Sequence, residues 1–295
     1  MNSAPRPSLP DRHWQTTRFV LDLAKPLVMG IVNVTPDSFS DGGLNAETSQ
    51  ALRHAEQLLR DGAAILDIGA ESTRPGAVVV PAPQELARLE PVLREAVRWQ
   101  VPISVDTYKP EVMQACLDWG VDIVNDIWAL RLPGALQVVA AHPHCGVCLM
   151  HMHRDPQTMQ IEPMQGDVLA EVDAFLRSRL AVLLANGVAA SRLVLDPGIG
   201  FGKTVAQNFQ LLARQADLLH LGAPLLAGWS RKSALGAILA QDGAAPEPAQ
   251  RQVASVAAAL MAVERGASVV RVHDVKDTVD ALKIWCAMQA QSSTL

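Results

Sequence analysis

Seven polar residues, scattered along the chain, are of the types that hold a charged heterocyclic substrate. Asp106, Asn125 and Asp196 make a carboxylate–amide–carboxylate set. Carboxylates accept from ring N–H and amino groups, and an amide pairs with a mixed donor–acceptor edge, so the set suits a flat, donor-rich heterocycle. Lys232, Arg271 and His273, with Arg74 before them, are cationic residues that suit a phosphate or a carboxylate. Together they describe a cup for one amide-like ring and one anion.

Each of these residues stands at or just past the end of an apolar run. The runs are LVMGIVNV from Leu27, AAILDIG from Ala63, PISVDT from Pro102, DIVNDI from Asp122, GVCLMHM from Gly146, LVLDPG from Leu193, PLLAGWS from Pro224 and SVVRVHD from Ser268. Runs this densely apolar are expected of parallel strands buried on both faces. They close in turn on Asn33; on Asp67 with Glu71 beyond; on Asp106 and Thr107; on Asn125 and Asp126; on His151; on Asp196; on Ser230, Arg231 and Lys232; and on Arg271 and His273.

The segments between them have helical period. Leu52, Ala55, Leu58 and Leu59 form one stripe that Gly62 stops, and Val168, Val172, Phe175, Leu176, Leu180, Leu183 and Leu184 form another that Gly187 stops. Strand and helix alternating in this way predict a single α/β domain, a (β/α)8 TIM barrel, whose strand ends share one rim where substrates bind. An open doubly wound sheet is the alternative. Such a sheet more often carries a glycine fingerprint after its first strand, and GIVNVTPDSFSDGG has none. One polar strand end is usually a cap or a turn, but a ring of them implies a ligand or a dense internal network, because each unpartnered buried polar group costs about 1–3 kcal/mol.

LVLDPGIGFGKT looks like a phosphate loop but is not one. Pro197 stands where that motif needs its first glycine, and proline has no N–H to aim at a phosphate. The alternative is a tight turn over the rim, with Phe201 walling a pocket or simply sitting in the core.

Composition sets outer bounds. The chain has 295 residues, 49% of them hydrophobic, and a net charge of −5, so it has a large core and no basic field for nucleic acid. The opening residues lack the apolar core of a signal peptide, and VASVAAALMAV is too short to span a bilayer, so a cytoplasmic protein is expected. A loose tail is expected over residues 1–16, the barrel over 17–290 and a short tail over 291–295. HPHCGVCLMHMH raises the question of a metal site, but residues three apart along a strand diverge, so Cys148 and His151 do not point to one ion.

The motifs GIVNVTPDSFSDGG, DIGAESTRPGA, SVDTYKPEV, VNDI, MHM with DPQTMQ, DPGIGFGKT, GWSRKS and RVHDV, spread from about Phe19 to Met288, resemble those of the dihydropteroate synthase family, the folate-pathway target of sulfonamides. The resemblance implies a transferase that joins 6-hydroxymethyl-7,8-dihydropterin diphosphate to para-aminobenzoate and releases pyrophosphate. It implies pterin binding by Asp106, Asn125, Met150, Asp196 and Lys232, and diphosphate binding by Asn33, Thr73, Arg271 and His273. It places Thr73, Arg74, Pro75, Phe201, Lys232 and Ser233 around the aminobenzoate. It gives Asp37, Arg74, Asp106, Asp196 and Lys232 catalytic roles, makes Asn33 a ligand of Mg2+, and implies a homodimer. Thr35, Asp37 and Ser38 fall in a first loop and Arg74 in a second.

Two positions depart from the family pattern: His153-Arg154 replaces a usual Gln-Gly, and Trp229 replaces a smaller residue. Three rivals stand beside this reading. They are an aldolase-like barrel using Lys232 for a Schiff base, the pterin-binding barrel of corrinoid methyltransferases, and a non-catalytic pterin binder.

Overall fold

A computed structural model describes residues 13–34, 43–72, 76–159 and 161–292. The strands are β1 (His13–Gln15), β2 (Val20–Asp22), β3 (Leu27–Asn33), β4 (Ile65–Gly69), β5 (Ile103–Asp106), β6 (Ile123–Asp126), β7 (Gly146–Met150), β8 (Leu193–Asp196), β9 (Leu225–Ala227) and β10 (Ala267–Val272). Strands β3 to β10 pair in parallel and close on themselves, β10 against β3, as an eight-stranded barrel. Around it lie α1 (Gly43–Arg60), α2 (Ala82–Ala96), α3 (Pro110–Asp118), α4 (Ala135–Ala141), α5 (Val168–Ala185), α6 (Val205–Arg214), α7 (Ser233–Leu239), α8 (Gln252–Glu264) and α9 (Val275–Ser292). The fold is the single-domain (β/α)8 barrel that the alternation of elements predicts.

Side chains alternate across a strand, and here the alternation sorts chemistry by depth. Ile65, Ile123, Val194 and Val269 point inward and pack with Met29, Cys148 and Leu226 as an apolar layer near the amino end. Their sequence neighbours Leu66, Val124, Leu195 and Val270 point outward under the helices. Two residues further on, the inward positions are Asp67, Asn125, Asp196 and Arg271. On β5, Ile103 and Val105 are outward, which leaves Ser104 and Asp106 inward. The register sets Asp106 beside Asn125 and Met150 beside Asp196. The apolar interior therefore gives way to a polar layer just below the carboxyl rim.

The expected tail over residues 1–16 needs correction at residues 13–16, residues 1–12 lying outside the described residues. His13–Gln15 pair with Val20–Asp22 as an antiparallel hairpin across the amino end of the barrel. Trp14 is fully buried in the inward apolar layer, and its Nε1 donates to the Arg192 carbonyl at 2.9 Å. Arg18 then ties the hairpin to the buried Asp122. At the other end α9 runs to Ser292, so residues 291 and 292 are helical rather than tail. In the His/Cys stretch, Cys148 faces inward, while Cys145 sits outside and accepts from Arg192. Among the described residues no three His, Cys, Asp or Glu side chains group to hold a metal.

Candidate active site

A cavity of about 440 Å³ opens at the carboxyl rim. Its wall includes Asn33, Asp106, Asn125, Met150, Asp196, Phe201, Lys232, Ser233, Arg271 and His273. All ten candidate residues that fall within the described part of the chain thus face one space. Asp37, Thr73, Arg74 and Pro75, with Thr35 and Ser38, lie outside the described residues.

One side of the cavity floor is a charge network centred on a residue given no role from the sequence. Asp67 is fully buried. It accepts from Ser104 Oγ at 2.5 Å, from Asn125 Nδ2 at 3.1 Å and from Arg271 Nε at 2.6 Å. The same guanidinium reaches Asp106 at 2.7 Å through its terminal nitrogen. Burial opposes the Arg271 charge, but Asp67 and Asp106 outweigh it and hold the cation firmly protonated. Asp106 gains less from this sharing. Burial pushes its pKa up to about 7, Arg271 pulling it down and the Asp67 carboxylate pushing it further up.

The glycine-rich turn after β8 builds the other side. Asp196 is held at β8, its carboxylate accepting from the Gly198 N–H at 2.7 Å. Burial raises its proton affinity, against the pull of that N–H and of Lys232. Lys232 Nζ stands 4.1 Å from the centre of the Phe201 ring. Burial lowers its pKa to about 8, opposed by Asp196. At Gly200 an added Cβ would come 3.0 Å from the Lys232 stem, so glycine there lets the lysine pass. Beneath the turn, buried Lys203 donates to the carbonyls of Gly198 and Phe201 at 2.7 and 3.2 Å and meets His151 Nδ1 at 2.9 Å. Burial lowers Lys203 to about 7 and His151 to about 2, so the ring is a neutral partner of the ammonium.

On the anion side, His273 Nδ1 meets Ser230 Oγ at 2.9 Å, which fixes the ring at the end of β10. Arg231, which also lines the cavity, has φ +59 and pairs with Asp274 at 2.6 Å. Its backbone carbonyl accepts from Arg251, another residue of the cavity wall. Glu71, just past β4, is bound by Tyr108 and Lys109, and Glu85 by Lys109 and Thr107, which anchors the segment after β4 to that after β5.

A family model described as "Pterin binding enzyme" matches residues 29–273. Dihydropteroate synthase of Neisseria meningitidis serogroup B is 51% identical over 283 residues, which cover 94% of this chain and 98% of the relative. The chain belongs to the dihydropteroate synthase family. Members of this family are transferases, and so is this chain. A solved dihydropteroate synthase of Xanthomonas albilineans with 4-aminobenzoic acid superposes with a TM-score of 0.85 at 49% identity, covering 92% of this chain and 96% of that one. The Burkholderia cenocepacia dihydropteroate synthase complexed with 7,8-dihydropteroate gives a TM-score of 0.85 at 48% identity, covering 96% and 98%.

The two departures from the dihydropteroate synthase pattern have local explanations. Arg154 takes φ +63, in the left-handed region that a glycine occupies freely, so the usual glycine fits this backbone and Arg154 holds it with strain while pairing with Glu162. Trp229 is buried, with its ring 5.3 Å from that of Phe209. It packs on α6 rather than entering the cavity.

Proposed function

We propose that this chain condenses 6-hydroxymethyl-7,8-dihydropterin diphosphate with para-aminobenzoate to give 7,8-dihydropteroate and pyrophosphate. One observation carries the reading. Asp106, Asn125 and Asp196 face the same cavity as Arg271 and His273, so a heterocycle cradle and an anion site share one small space. The 4-aminobenzoic acid and 7,8-dihydropteroate held by the related structures are the second substrate and the product of that reaction.

Asp106, Asn125 and Asp196 accept from the pterin N–H groups and orient its ring, with Met150 lying against it. Arg271, His273 and Asn33, together with Thr73, take the diphosphate. Phe201, Lys232 and Ser233, with Thr73, Arg74 and Pro75, surround the aminobenzoate. Arg74 and Asp37 complete the reacting set from the two loops. The carbon–oxygen bond breaks and its electron pair leaves with the diphosphate. The methylene left behind is cationic and conjugated with the dihydropterin, and the ionised carboxylates of Asp106 and Asp196 stabilise that spread charge. The aniline lone pair then forms the carbon–nitrogen bond, and its surplus proton departs to water. The amine is a modest nucleophile, so placement serves it more than a general base does. The substitution is thus dissociative, SN1-like.

Mg2+ suits the anion side of the site. Asn33 offers one neutral oxygen donor there, and Mg2+ is commonly held by few protein ligands and mostly by substrate phosphates. Asn33 would hold the ion, which would neutralise charge building on the leaving diphosphate.

The test is pyrophosphate release with aminobenzoate present or withheld. Release in a first turnover without the amine is expected from the wild-type chain, and cleavage that strictly requires the amine would sink the dissociative step. Asp196→Asn and Lys232→Ala are each expected to lower kcat/KM at least about 100-fold, as losses of buried charged contacts do.

We further propose a cytoplasmic homodimer. α8 buries Ala258, Ala259, Ala262 and Val263 but leaves Val253 exposed, as α9 leaves Ile284. No helix among the described residues is long and apolar enough to cross a membrane. Light scattering at the mass of one chain would refute the dimer.

A further inference from the structure

Asn125 is the member of the heterocycle cradle that could read a ring in either sense. Its two carboxylate neighbours, Asp106 and Asp196, bind as acceptors when ionised. An amide carries a donor and an acceptor side by side, and turning it over by half a revolution exchanges them.

The geometry fixes which way it stands. Asn125 Nδ2 lies 3.1 Å from Asp67 Oδ2, and the same oxygen takes the Arg271 Nε–H at 2.6 Å. The other Asp67 oxygen is occupied by Ser104 Oγ at 2.5 Å. With three donors on its two oxygens, Asp67 acts here as an acceptor. A flipped Asn125 would set its own carbonyl against that carboxylate, with both residues buried. One amide hydrogen is therefore committed to Asp67, and the second hydrogen and Oδ1 remain for a ligand in a fixed order.

We propose that Asp67 is a specificity-determining positioning residue that locks the Asn125 amide, so that the cavity takes a 2-amino-4-oxo ring and rejects its 2-oxo-4-amino isomer. The inference rests on the pterin reading above and deepens it. The two isomers have the same outline and differ in which positions donate and which accept, so shape cannot separate them. A site built of committed hydrogen bonds separates them strongly, because the wrong isomer leaves buried groups unpartnered.

Asp67→Asn replaces a pure acceptor with a group that can donate or accept, and so frees Asn125 to turn. The measurement is calorimetric binding of 6-hydroxymethyl-7,8-dihydropterin and of its 2-oxo-4-amino isomer, neither carrying diphosphate. The wild-type chain is expected to favour the first. In Asp67→Asn the ratio of the two affinities is expected to fall about tenfold. Ser104→Ala, which keeps the carboxylate but removes one of its three anchors, is expected to lower the ratio about threefold. An unchanged ratio in folded Asp67→Asn, or equal weakening toward both rings, overturns the proposal. Should that variant fail to fold, an unchanged ratio in Ser104→Ala overturns it instead. A wild-type chain that binds neither ring counts against the proposed function and not against the lock.

Discussion

Asp106 and Asp67 share a single guanidinium, at 2.7 and 2.6 Å. The groups that face Asp106 are Arg271, which favours its charge, and Asp67, Glu85 and Asp126, which oppose it. With burial added, its pKa stands at about 7, above the ordinary 3.8. The sign follows directly. The neutral acid prevails in the empty site below about pH 7, and the ionised form, which accepts from a ring N–H, prevails above it. Affinity for 6-hydroxymethyl-7,8-dihydropterin without diphosphate is therefore expected to rise about tenfold between pH 6 and pH 8. Asp106→Asn should bind more weakly and without that slope; a wild-type profile flat across this range would refute the assignment. For stability the sign is the reverse: the folded state keeps a proton that the unfolded chain releases above 3.8, so this group's contribution declines as pH rises toward 7. At this scale the strand-end residues were legible because each follows an apolar run. The function of Asp67 was not, because a carboxylate two residues from a strand's end looks the same whether it touches a ligand or an arginine.

Among the elements, the turn after β8 depends on two residues that never enter the cavity. Gly198 has φ +71, and a Cβ there would stand 1.8 Å from the His151 carbonyl oxygen. Lys203, buried beneath, gathers the carbonyls of Gly198 and Phe201. Gly198→Ala must displace either the end of β7 or the turn, and is expected to cost at least about 3 kcal/mol of stability in denaturant melts. The surviving folded fraction should bind pterin poorly, since Asp196 leans on the Gly198 N–H. A variant with native stability and native pterin affinity would show that the turn has room the geometry denies. The glycine spacing announced a tight turn over the rim. It did not announce the buried lysine, since nothing in the spacing of Lys203 places its side chain among backbone carbonyls.

At the scale of the molecule, alternation and depth together explain why the barrel was readable. On four strands the inward residue near the amino end is apolar and the one two further on is polar, so the runs and their ends told the fold and the site at once. The hairpin was hidden because a proline- and serine-rich opening outweighed a single tryptophan in any local count. That tryptophan plugs the amino end. Trp14→Ala is expected to lose about 3–5 kcal/mol of stability. The KM values for both substrates should stay within about twofold in the folded protein, as the plug sits in the apolar layer of the amino end and is not part of the cavity wall. Loss of substrate affinity with stability intact would mean that the two ends of the barrel are coupled.

The plug also dictates traffic. With Trp14 buried at the amino end, the cavity among the described residues opens at the carboxyl rim; Asp106, Asn125 and Asp196 stand on the strands themselves, and Phe201 and Lys232 on the turns beyond them. On the proposed reaction the guest destined for the innermost berth has to board before its companion, and a passenger seated early in the outer berth bars the way behind it. Excess aminobenzoate should thus slow the enzyme by trapping it half-filled, an effect that adding more of the pterin substrate relieves.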